Sequence, residues 1–418
     1  MKAARRPRGS VSTAVRLGPD IDRGPARSQN RSTGAMTPAV IVGAEINGLG
    51  VVRSLARKGV PTWLVDRDPT NPTMRTRYAT KVQMSSLAGA VVIDALLRLR
   101  AGFEADPVLF LTREDTVAAV SRDLHRIASC YRISMPDDRL MNQLGDKLGF
   151  QTLAQEHGFP IPRAVRLKTL EDLSATDAPG YPCVLKPVVK TPRYAARFSK
   201  AYKVQNRGQL EKLLGEIDGA AEMIAQEWIE GGDDQIYFCL QYRAREPGAT
   251  VSFTGRKLRS WPPATGGTAS CVPAPDAARE LGRLTDAFFT AVGYFGVGSM
   301  EFKRDARTGR YLMIEPTVGR TDFQEEIATL NGVNIPYAAY CGELGRSLED
   351  AVDPAEGAAW VAGRIDRWSC RRQAIARRFP PGVRRYDALW RLADPMPWWF
   401  ATAGRLQARL RVFGRAQR

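Results

Sequence analysis

The chain has 418 residues, of which 44% are hydrophobic and 25% are charged, as expected of a globular protein with two or three domains. The net charge of +17 does not by itself indicate nucleic-acid binding, because residues 1–35 carry +6 and residues 360–418 carry +11, which leaves the segment between them neutral. Six cysteines without Cys-x-x-Cys spacing, two histidines and the lack of an apolar run of about 18 residues argue against a zinc site, a disulfide framework, a histidine-based triad and a membrane-spanning helix.

Residues 1–36 predict a disordered basic leader. They are rich in Arg and Ser and contain no apolar stretch of the kind that a secretory signal requires. A transit-like peptide, or translation that starts at Met36, would also account for this composition. A cytoplasmic location with reduced cysteines is the simplest expectation.

A strand, a glycine-rich turn, a helix and a second strand follow in order. Val40–Val42 is the first strand, the turn spans Gly43–Gly50, and Thr62–Val65 leads into Asp66. Glycines followed by an acid about twenty residues later suggest a dinucleotide site. The spacing differs from G-x-G-x-x-G, however, and a glycine-rich turn also serves close helix packing without a ligand. With a further buried strand at Val108–Leu111, the pattern predicts a small doubly wound domain.

The middle of the chain predicts mostly β-structure. A helix at Gln143–His157 is expected to end at the Pro-x-Pro of residues 160–162, and another is expected at Ala277–Val292. The loop Ala264–Ser270 contains two glycines and is expected to be either a flexible lid or a long hairpin connection. Four strands are predicted: Tyr181–Pro187, Met223–Ile229, Gln235–Leu240 and Val251–Leu258.

Residues 299–315 predict a β-hairpin that sets two glutamates against each other. If Phe302 meets Ile314 on the apolar face, the same register places Glu301 opposite Glu315 on the polar face. Opposed side chains lie about 5 Å apart, and like charges at that distance repel by about 3 kcal/mol at an effective dielectric constant of about 20. A Mg²⁺ ion takes carboxylate oxygens together with substrate phosphates, so it would neutralise the pair and bring a nucleotide with it. Alternatively, the pair lies on a solvated face where Lys303 offsets one charge.

Two lysines and one turn would complete a nucleotide site. Lys147 and Lys186 each lie where a helix or strand meets a turn, so together they would bind phosphate, although each alone could be a solvated surface charge. The segment Gln226–Asp233 interrupts a strand. It would present backbone groups to an adenine edge and an acid to ribose hydroxyls, or it would form an ordinary hairpin turn.

The order of these pieces resembles that of ATP-grasp ligases. The motifs that carry the resemblance are, in order, Asp146-Lys147, Val184-Leu-Lys-Pro187, Gln226-Glu-Trp-Ile229, Glu301-Phe302 and Ile314-Glu-Pro316. Each motif is short, but their full order with sensible gaps is fairly specific. From about Ala39 to Gly345 the chain is similar to this superfamily, and most closely to uncharacterised bacterial carboxylate-amine ligases that resemble D-aspartate ligase.

The resemblance implies an α/β (α+β) fold class with a Rossmann-like N-terminal domain followed by a two-part ATP-grasp fold. The Rossmann-like domain would cover residues 37–140 and the ATP-grasp domain residues 141–350. Within the latter, a small lid would cover about 150–230 and a larger part about 231–350, with ATP gripped between them. Residues 351–418 would form a basic C-terminal extension.

The resemblance also implies roles for single residues in nucleotide binding. Lys147 and Lys186 would hold the phosphates of ATP. Asp233 would contact the ribose, although Asp234 could take that position instead. The hinge beside adenine would consist of Glu227, Trp228 and Ile229.

The implied metal ligands are Glu301 and Glu315, in agreement with the hairpin register, and Arg256 or Lys257 would help to neutralise the γ-phosphate. Members of the superfamily usually continue the last metal strand as Glu-x-Asn, whose asparagine is a third oxygen ligand. Thr317 occupies that place here, and a hydroxyl reaches a metal or its bound water less directly than an amide oxygen does.

Arg320 follows shortly after the last implied metal ligand. Its planar guanidinium could grip a substrate carboxylate or the transferred phosphoryl group, or it could form a salt bridge to Glu325 or Glu326.

The implied function is an ATP- and Mg²⁺-dependent carboxylate-amine ligase. A small-molecule carboxylate would attack the γ-phosphate of ATP, and a small-molecule amine would then attack the resulting acylphosphate. No nucleic-acid partner is expected. Two alternatives stay open: a nicotinamide-dependent oxidoreductase built on the first βαβ unit, and a nucleotide-binding pseudo-enzyme with the same fold.

The basic C-terminus predicts a further contact. An amphipathic helix is expected at Ala403–Phe413, preceded by Trp398, Trp399 and Phe400. Tryptophan and arginine at an amphipathic end suit an anionic membrane surface, so the tail would tether the protein to the inner membrane surface. RNA binding, or a tail that packs on the last domain, are the alternatives.

Overall fold

The computed structural model describes residues 16–17, 21–23, 36–167, 172, 180–189, 191–199, 201–217, 219–246, 249–353 and 357–403. The chain forms two compact units, of which the first comprises Met1–Arg132 with Ala393–Arg418 and the second comprises Ile133–Leu392. Within the described residues, no helix is long and apolar enough to cross a membrane.

The first unit is built on a six-stranded sheet in the order β1-β2-β5-β4-β3-β6, whose last four strands are parallel. Its strands are β1 Arg16–Leu17, β2 Ile21–Arg23, β3 Ala39–Val42, β4 Thr62–Asp66, β5 Ala79–Met84 and β6 Val108–Leu111. Its helices are α1 Ile46–Ala56, α2 Gly89–Arg100, α3 Glu114–Arg122 and α4 Leu124–Ala128.

The apolar runs of β3 and β6 are fully buried, as expected for parallel strands covered on both faces. The predicted strands β3, β4 and β6 are therefore confirmed. The structure adds β5 and α2 between β4 and β6. The sequence signal for β5 is weak because Lys81 and Gln83 interrupt its apolar pattern.

The glycine-rich turn after β3 has a packing explanation. Gly43 has φ +105°, and a Cβ atom there would lie 2.3 Å from Thr112 Oγ1, while a Cβ atom on Gly48 would lie 1.9 Å from the Gly43 carbonyl oxygen. Both carboxylate oxygens of Asp66 accept backbone hydrogen bonds, from Ala44 N at 2.7 Å and from Asp68 N at 2.9 Å. The glycines and the acid that suggested a dinucleotide site thus hold the turn itself together.

Asp394 holds the C-terminal segment against the rest of the first unit. This residue is 1% exposed, and its carboxylate accepts hydrogen bonds from Arg53 Nε at 3.1 Å, Thr76 Oγ1 at 2.9 Å and Arg77 N at 3.0 Å. Residues 396–403 are helical. The predicted amphipathic helix beyond that point lies outside the described residues.

The small sheet of the second unit is antiparallel and has the order β7-β10-β8-β9. Its strands are β7 Ala164–Leu167, β8 Cys183–Pro187, β9 Tyr202–Val204 and β10 Met223–Glu227. Leu185, Tyr194 and Leu210 lie in its buried core. The helices of this part are α5 Asp138–Gly145, α6 Lys147–Glu156, α7 Pro192–Ala195 and α8 Arg207–Ile217.

The single helix predicted at Gln143–His157 is wrong, because the structure has two helices there. Asp146 separates them, and its carboxylate caps α6 by accepting hydrogen bonds from Leu148 N at 3.0 Å and Gly149 N at 2.8 Å. The cap makes Lys147 the first residue of α6.

The large sheet has the order β15-β14-β11-β12-β13-β16-β17 and is antiparallel except for its last pair. One face packs on helices and buries Leu281, Phe288 and Phe289 of α9. Its strands are β11 Ile236–Arg243, β12 Thr250–Trp261, β13 Gly267–Pro273, β14 Gly296–Arg304, β15 Tyr311–Val318, β16 Ala358–Val361 and β17 Arg384–Asp387. The helices are α9 Pro275–Ala291, α10 Glu326–Leu330, α11 Ile335–Glu343 and α12 Gly363–Gln373.

The predicted loop at Ala264–Ser270 is wrong for its second half. β13 begins at Gly267 and pairs with both β12 and β16, and Thr268 and Ser270 are buried. A glycine pair can precede a strand as easily as it can form a loop, because only the pairing with neighbouring strands decides between them. A lid that closes by movement of Gly267–Ser270 is therefore not supported.

Candidate active site

The polar face of β14 and β15 carries two glutamates that face each other. Glu301 lies directly opposite Glu315, which confirms the predicted pair. The predicted partner of Phe302 is wrong, because Phe302 pairs with Met313 and a β-bulge separates the two pairs. Ile314 is the extra residue, and such a bulge re-aims neighbouring side chains. The two carboxylates thus share one side of the sheet at an irregular point of the hairpin.

A buried lysine from β12 neutralises one of these carboxylates. Lys257 Nζ lies 2.6 Å from Glu301 Oε2 and 3.5 Å from the carbonyl oxygen of Gly266, and the lysine side chain is 4% exposed. Glu315 is exposed. Lys257, Glu301 and Glu315 therefore form a row across the sheet. Glu315, at the outer end of this row, faces solvent.

Lys303, the counter-charge of the alternative interpretation, makes different contacts. Its Nζ atom donates hydrogen bonds to the carbonyl oxygens of Gly231 and Gly232, at 2.8 and 2.7 Å. Burial lowers the pKa of Lys303, while the nearby carboxylates of Asp233 and Asp234 act to raise it. Lys303 thus fastens β14 to the turn between the small and the large sheet.

The side chains of Lys147 and Lys186 both lie near the C-terminal end of β8. Lys147 Nζ reaches from the start of α6 to the carbonyl oxygen of Val188, at 3.3 Å. Lys186 lies on β8 itself, where its Nζ atom donates to Gln226 Oε1 at 2.9 Å. The structure therefore brings these two predicted phosphate ligands to one region, as their predicted role needs.

The segment after β10 contains the three residues assigned to the adenine hinge. Glu227 ends β10, and its amide donates to the carbonyl oxygen of Arg163 at 2.8 Å. Trp228 has Lys203 Nζ 4.0 Å from the centroid of its ring, and Ile229 is buried. Sequence reasoning missed Lys203, because only the pairing of β9 with β8 brings it near the hinge.

Asp233 is occupied by backbone contacts. It is 8% exposed, and its two carboxylate oxygens accept hydrogen bonds from Ser260 N and Ala264 N, both at 2.8 Å. Asp234 is exposed, and its carbonyl oxygen lies 3.5 Å from Arg256 Nη1. This geometry favours Asp234, the alternative that the sequence left open, for a ribose contact.

Thr317 and Arg320 lie beyond the glutamate pair. Thr317 Oγ1 donates a hydrogen bond to Asp322 Oδ1 at 2.9 Å, and Arg320 Nη1 donates to the carbonyl oxygen of Thr321 at 3.2 Å. The charge of Arg320 also acts on the carboxyl group of Glu325. Sequence reasoning missed Asp322, since no periodic pattern or motif marks a loop acid.

Glu325 is a buried acid. It is 1% exposed, and Oε2 accepts a hydrogen bond from Asp322 N at 3.0 Å. Burial raises the pKa of Glu325 to about 8; the hydrogen bond from the Asp322 amide and the charge of Arg320 oppose this effect, and the charge of Asp322 adds to it. The carboxyl group is thus largely protonated near neutral pH.

The residues around the glutamate pair fit a magnesium ion whose shell is completed by phosphate. Within the part of the chain that the structure describes, no group of three or more His, Cys, Asp and Glu side chains could hold a metal ion. Magnesium, however, is commonly bound through one or two carboxylates together with substrate phosphates and water. Glu301, Glu315 and Thr317 offer three oxygen-bearing side chains on one face of the hairpin.

Comparisons with solved structures identify the fold. The chain superposes on N5-carboxyaminoimidazole synthetase from Staphylococcus aureus with a TM-score of 0.59 and 16% identity, covering 76% of this chain and 80% of that one. It superposes on an L-amino acid ligase from Bacillus licheniformis with a TM-score of 0.56 and 14% identity, covering 77% and 78%. The chain has the ATP-grasp fold. No protein-family model and no curated protein matches the sequence.

A third solved structure to which the chain is similar contains a nucleotide. It is the biotin carboxylase domain of 2-oxoglutarate carboxylase from Hydrogenobacter thermophilus, in complex with MgADP, ADP and bicarbonate. The TM-score is 0.56 at 18% identity, and the match covers 76% of this chain and 72% of that one. The predicted fold class is confirmed, whereas the closer likeness to D-aspartate ligase stays a prediction.

Proposed function

We propose that the chain is an ATP- and Mg²⁺-dependent carboxylate-amine ligase that works through an acylphosphate. The observation that carries this proposal is the row formed by Lys257, Glu301 and Glu315 on the polar face of the large sheet. Two opposed carboxylates are costly without a counter-charge, and Lys257 offsets only one of them. The exposed Glu315 carboxylate leaves a place for a divalent cation that arrives with a nucleotide.

In this proposal, the nucleotide lies between the small and the large sheet. Lys147 and Lys186 bind its phosphates through charge-assisted hydrogen bonds. Trp228, between Glu227 and Ile229, borders the adenine, and Asp234 contacts the ribose. Asp233 instead holds the turn that ends β12 in place, as its two backbone contacts indicate.

Glu301, Glu315 and Thr317 would hold the magnesium ion. When bound, Mg²⁺ draws charge from the phosphoryl oxygens and stabilises the charge that develops on them during transfer. The paired strands of the hairpin place the three side chains on one face before the ligand arrives, so less ordering is left to occur on binding.

The cations of the chain act on the phosphoryl group during transfer. An oxygen of the substrate carboxylate bonds to the γ-phosphorus while the bond between that phosphorus and ADP breaks. Arg256 or Lys257 stabilises the charge on the transferred group, and the planar fork of Arg320 binds the substrate carboxylate or the same group. The amine then bonds to the acyl carbon, phosphate leaves, and the nitrogen gives up a proton.

The compared proteins support the substrate class. One is named an L-amino acid ligase, and another was crystallised with MgADP and bicarbonate, which is a small carboxylate-like anion. We infer that this chain also joins a small carboxylate to a small amine. Nothing in the neutral middle of the chain calls for a nucleic-acid partner.

A nucleotide-binding pseudo-enzyme is the second candidate. The observation that favours it is Thr317, which stands where the superfamily usually has an asparagine ligand. The sequence argument for a nicotinamide-dependent oxidoreductase no longer holds, because packing and hydrogen bonding within the first turn account for its glycines and for Asp66.

Thermal-shift titration tests the proposal. ATP with Mg²⁺ is expected to stabilise the chain, whereas NAD⁺ or NADP⁺ is not, and Glu315→Gln should remove the magnesium-dependent part of the shift. Release of ADP and phosphate that depends on both a carboxylate and an amine would then separate a ligase from a pseudo-enzyme. Stabilisation by NAD(P)⁺ alone would overturn the proposal.

A further inference from the structure

A pair of hydroxyl groups lies next to the pair of glutamates on the same hairpin. Ser299 lies opposite Thr317, two pairs further along β14 and β15 than Glu301 and Glu315. Because side chains alternate along a strand, all four point to the same face of the sheet.

Both hydroxyl groups are tied to one carboxylate. Ser299 Oγ donates to Asp322 Oδ2 at 2.7 Å, and Thr317 Oγ1 donates to Asp322 Oδ1 at 2.9 Å. Asp322 lies in the loop after β15 and is partly buried. An ionised carboxylate can only accept hydrogen bonds, so the direction of both bonds is fixed.

The direction of these hydrogen bonds decides whether the hydroxyl groups present a proton or lone pairs to a ligand. A hydroxyl has one proton and two lone pairs, and a freely rotating hydroxyl can present either. Since the proton of Thr317 is committed to Asp322, the remaining electron density of Oγ1 is available to a cation. A hydroxyl held in this way presents lone pairs to a hard cation, as an amide oxygen does.

Asp322 is itself held from two sides. Gln324 Nε2 donates to Asp322 Oδ2 at 3.3 Å, and the backbone amide of Asp322 donates to Glu325 Oε2 at 3.0 Å. Glu325 is buried, so this support does not depend on a surface side chain that rotates in solvent. The carboxylate thus sits in a defined place behind Thr317.

We propose that Asp322 is a positioning residue that makes Thr317 an oxygen ligand for the divalent cation of the Glu301–Glu315 site. This inference rests on the proposed function and deepens it, because it explains how the chain dispenses with the usual asparagine. Ser299 serves as the second anchor of the Asp322 carboxylate. The ligand set is then two glutamates and one threonine, oriented from behind by one aspartate.

The test measures how much MgCl₂ is needed for ADP to raise the melting temperature. Asp322→Asn and Thr317→Val are each expected to raise the half-saturating Mg²⁺ concentration about 10- to 100-fold, as the loss of a supporting group behind a metal ligand does. The double variant should show no further loss, because the two residues act through one contact. Ligand-free melting and circular dichroism check that each variant folds.

A rescue variant distinguishes positioning from a merely structural role. Thr317→Asn supplies an amide oxygen that needs no help from a carboxylate, so adding it to the Asp322→Asn variant should restore the Mg²⁺ requirement to within about threefold of the wild type. Loss of loop packing alone would not be reversed by this change. The matched control is Asp305→Asn, which removes the charge from the acceptor of the 2.8 Å Thr308–Asp305 hydroxyl contact in the hairpin turn and should leave the Mg²⁺ requirement unchanged.

Three outcomes would overturn the inference. An unchanged Mg²⁺ requirement in Asp322→Asn, or failure of Thr317→Asn to rescue it, rejects the positioning role while leaving the proposed function in place. A wild-type shift with ADP that does not depend on Mg²⁺ rejects both.

Discussion

The two opposed glutamates are chemically alike, yet their environments predict opposite effects when either is replaced by glutamine. Glu301 forms a 2.6 Å ion pair with Lys257, which is 4% exposed, whereas Glu315 is exposed. Removing the charge of Glu301 therefore strands a buried ammonium group. Removing the charge of Glu315 only relieves repulsion.

The expected magnitudes follow from these contacts. Breaking a buried ion pair by removing one partner costs about 3 kcal/mol, at the low end of the usual range because 34% of the Glu301 side chain is exposed. The repulsion between the two glutamates is about 1 kcal/mol at about 5 Å in a water-like medium, and either substitution removes it. Glu301→Gln is thus expected to destabilise the ligand-free protein by about 2 kcal/mol, and Glu315→Gln to stabilise it by up to about 1 kcal/mol.

Thermal and urea unfolding without metal or nucleotide measure this contrast. A difference of about 3 kcal/mol between the two variants corresponds to about 6 to 12 °C in melting temperature for a unit of this size. Glu216→Gln on α8 is the matched control, because it removes an exposed charge far from the hairpin and should change little. With MgADP present, both hairpin variants should lose the magnesium-dependent shift.

Equal destabilisation by the two hairpin variants would refute this reasoning, because it would mean that the Lys257 contact does not distinguish the glutamates. Retention of the magnesium-dependent shift in both variants would reject the metal site, whatever their stability without ligand.

Three further predictions concern other parts of the chain. Burial raises the pKa of Glu325 to about 8 from the ordinary 4.5, so the folded chain holds an extra proton between these values and its stability should fall as the pH rises through that range. Glu325→Gln should flatten that slope in urea unfolding at a series of pH values, and an unchanged slope would contradict the assignment. Gly255→Ala should destabilise by about 1 to 3 kcal/mol in the same assay, since its Cβ would lie 2.4 Å from the buried ring of Phe238, and a neutral result would mean that the ring yields freely. Deleting residues 404–418 should abolish flotation with anionic liposomes without lowering the melting temperature, because Asp394 and its contacts remain, and equal flotation of both forms would end the membrane hypothesis.

The facing glutamates were predictable because side-chain alternation and one short turn determine them locally. Even there, the bulge changes the partner of Phe302 from Ile314 to Met313, since two apolar neighbours in sequence can each fill the same place on a buried face. The buried strands β3 and β6 were predictable for a similar reason, because their apolar runs leave no other structure that would bury them.

The contacts that complete the site depend on residues far apart in the chain. Lys257 and Glu301 are 44 residues apart, and they meet only because β11 lies between their strands in the sheet. The two amide contacts of Asp233 likewise depend on the end of β12 and on the turn that follows it. Strand order is set by the whole hydrophobic core, so no local pattern indicates which distant partner a polar side chain will have.

The charges around the proposed site favour a particular kind of ligand. Lys147 and Lys186 provide cations at the proposed phosphate site, whereas Glu315 is an exposed carboxylate whose partner Glu301 is offset by Lys257. A bare divalent cation would leave the two lysines without a counter-charge, whereas a bare triphosphate would bring more negative charge close to Glu315. A magnesium nucleotide places each charge beside its opposite, so metal and nucleotide should each bind weakly alone and strongly together. Mutual enhancement of ADP and Mg²⁺ in a two-dimensional thermal-shift titration is the expected result, and independent binding of the two would contradict this arrangement.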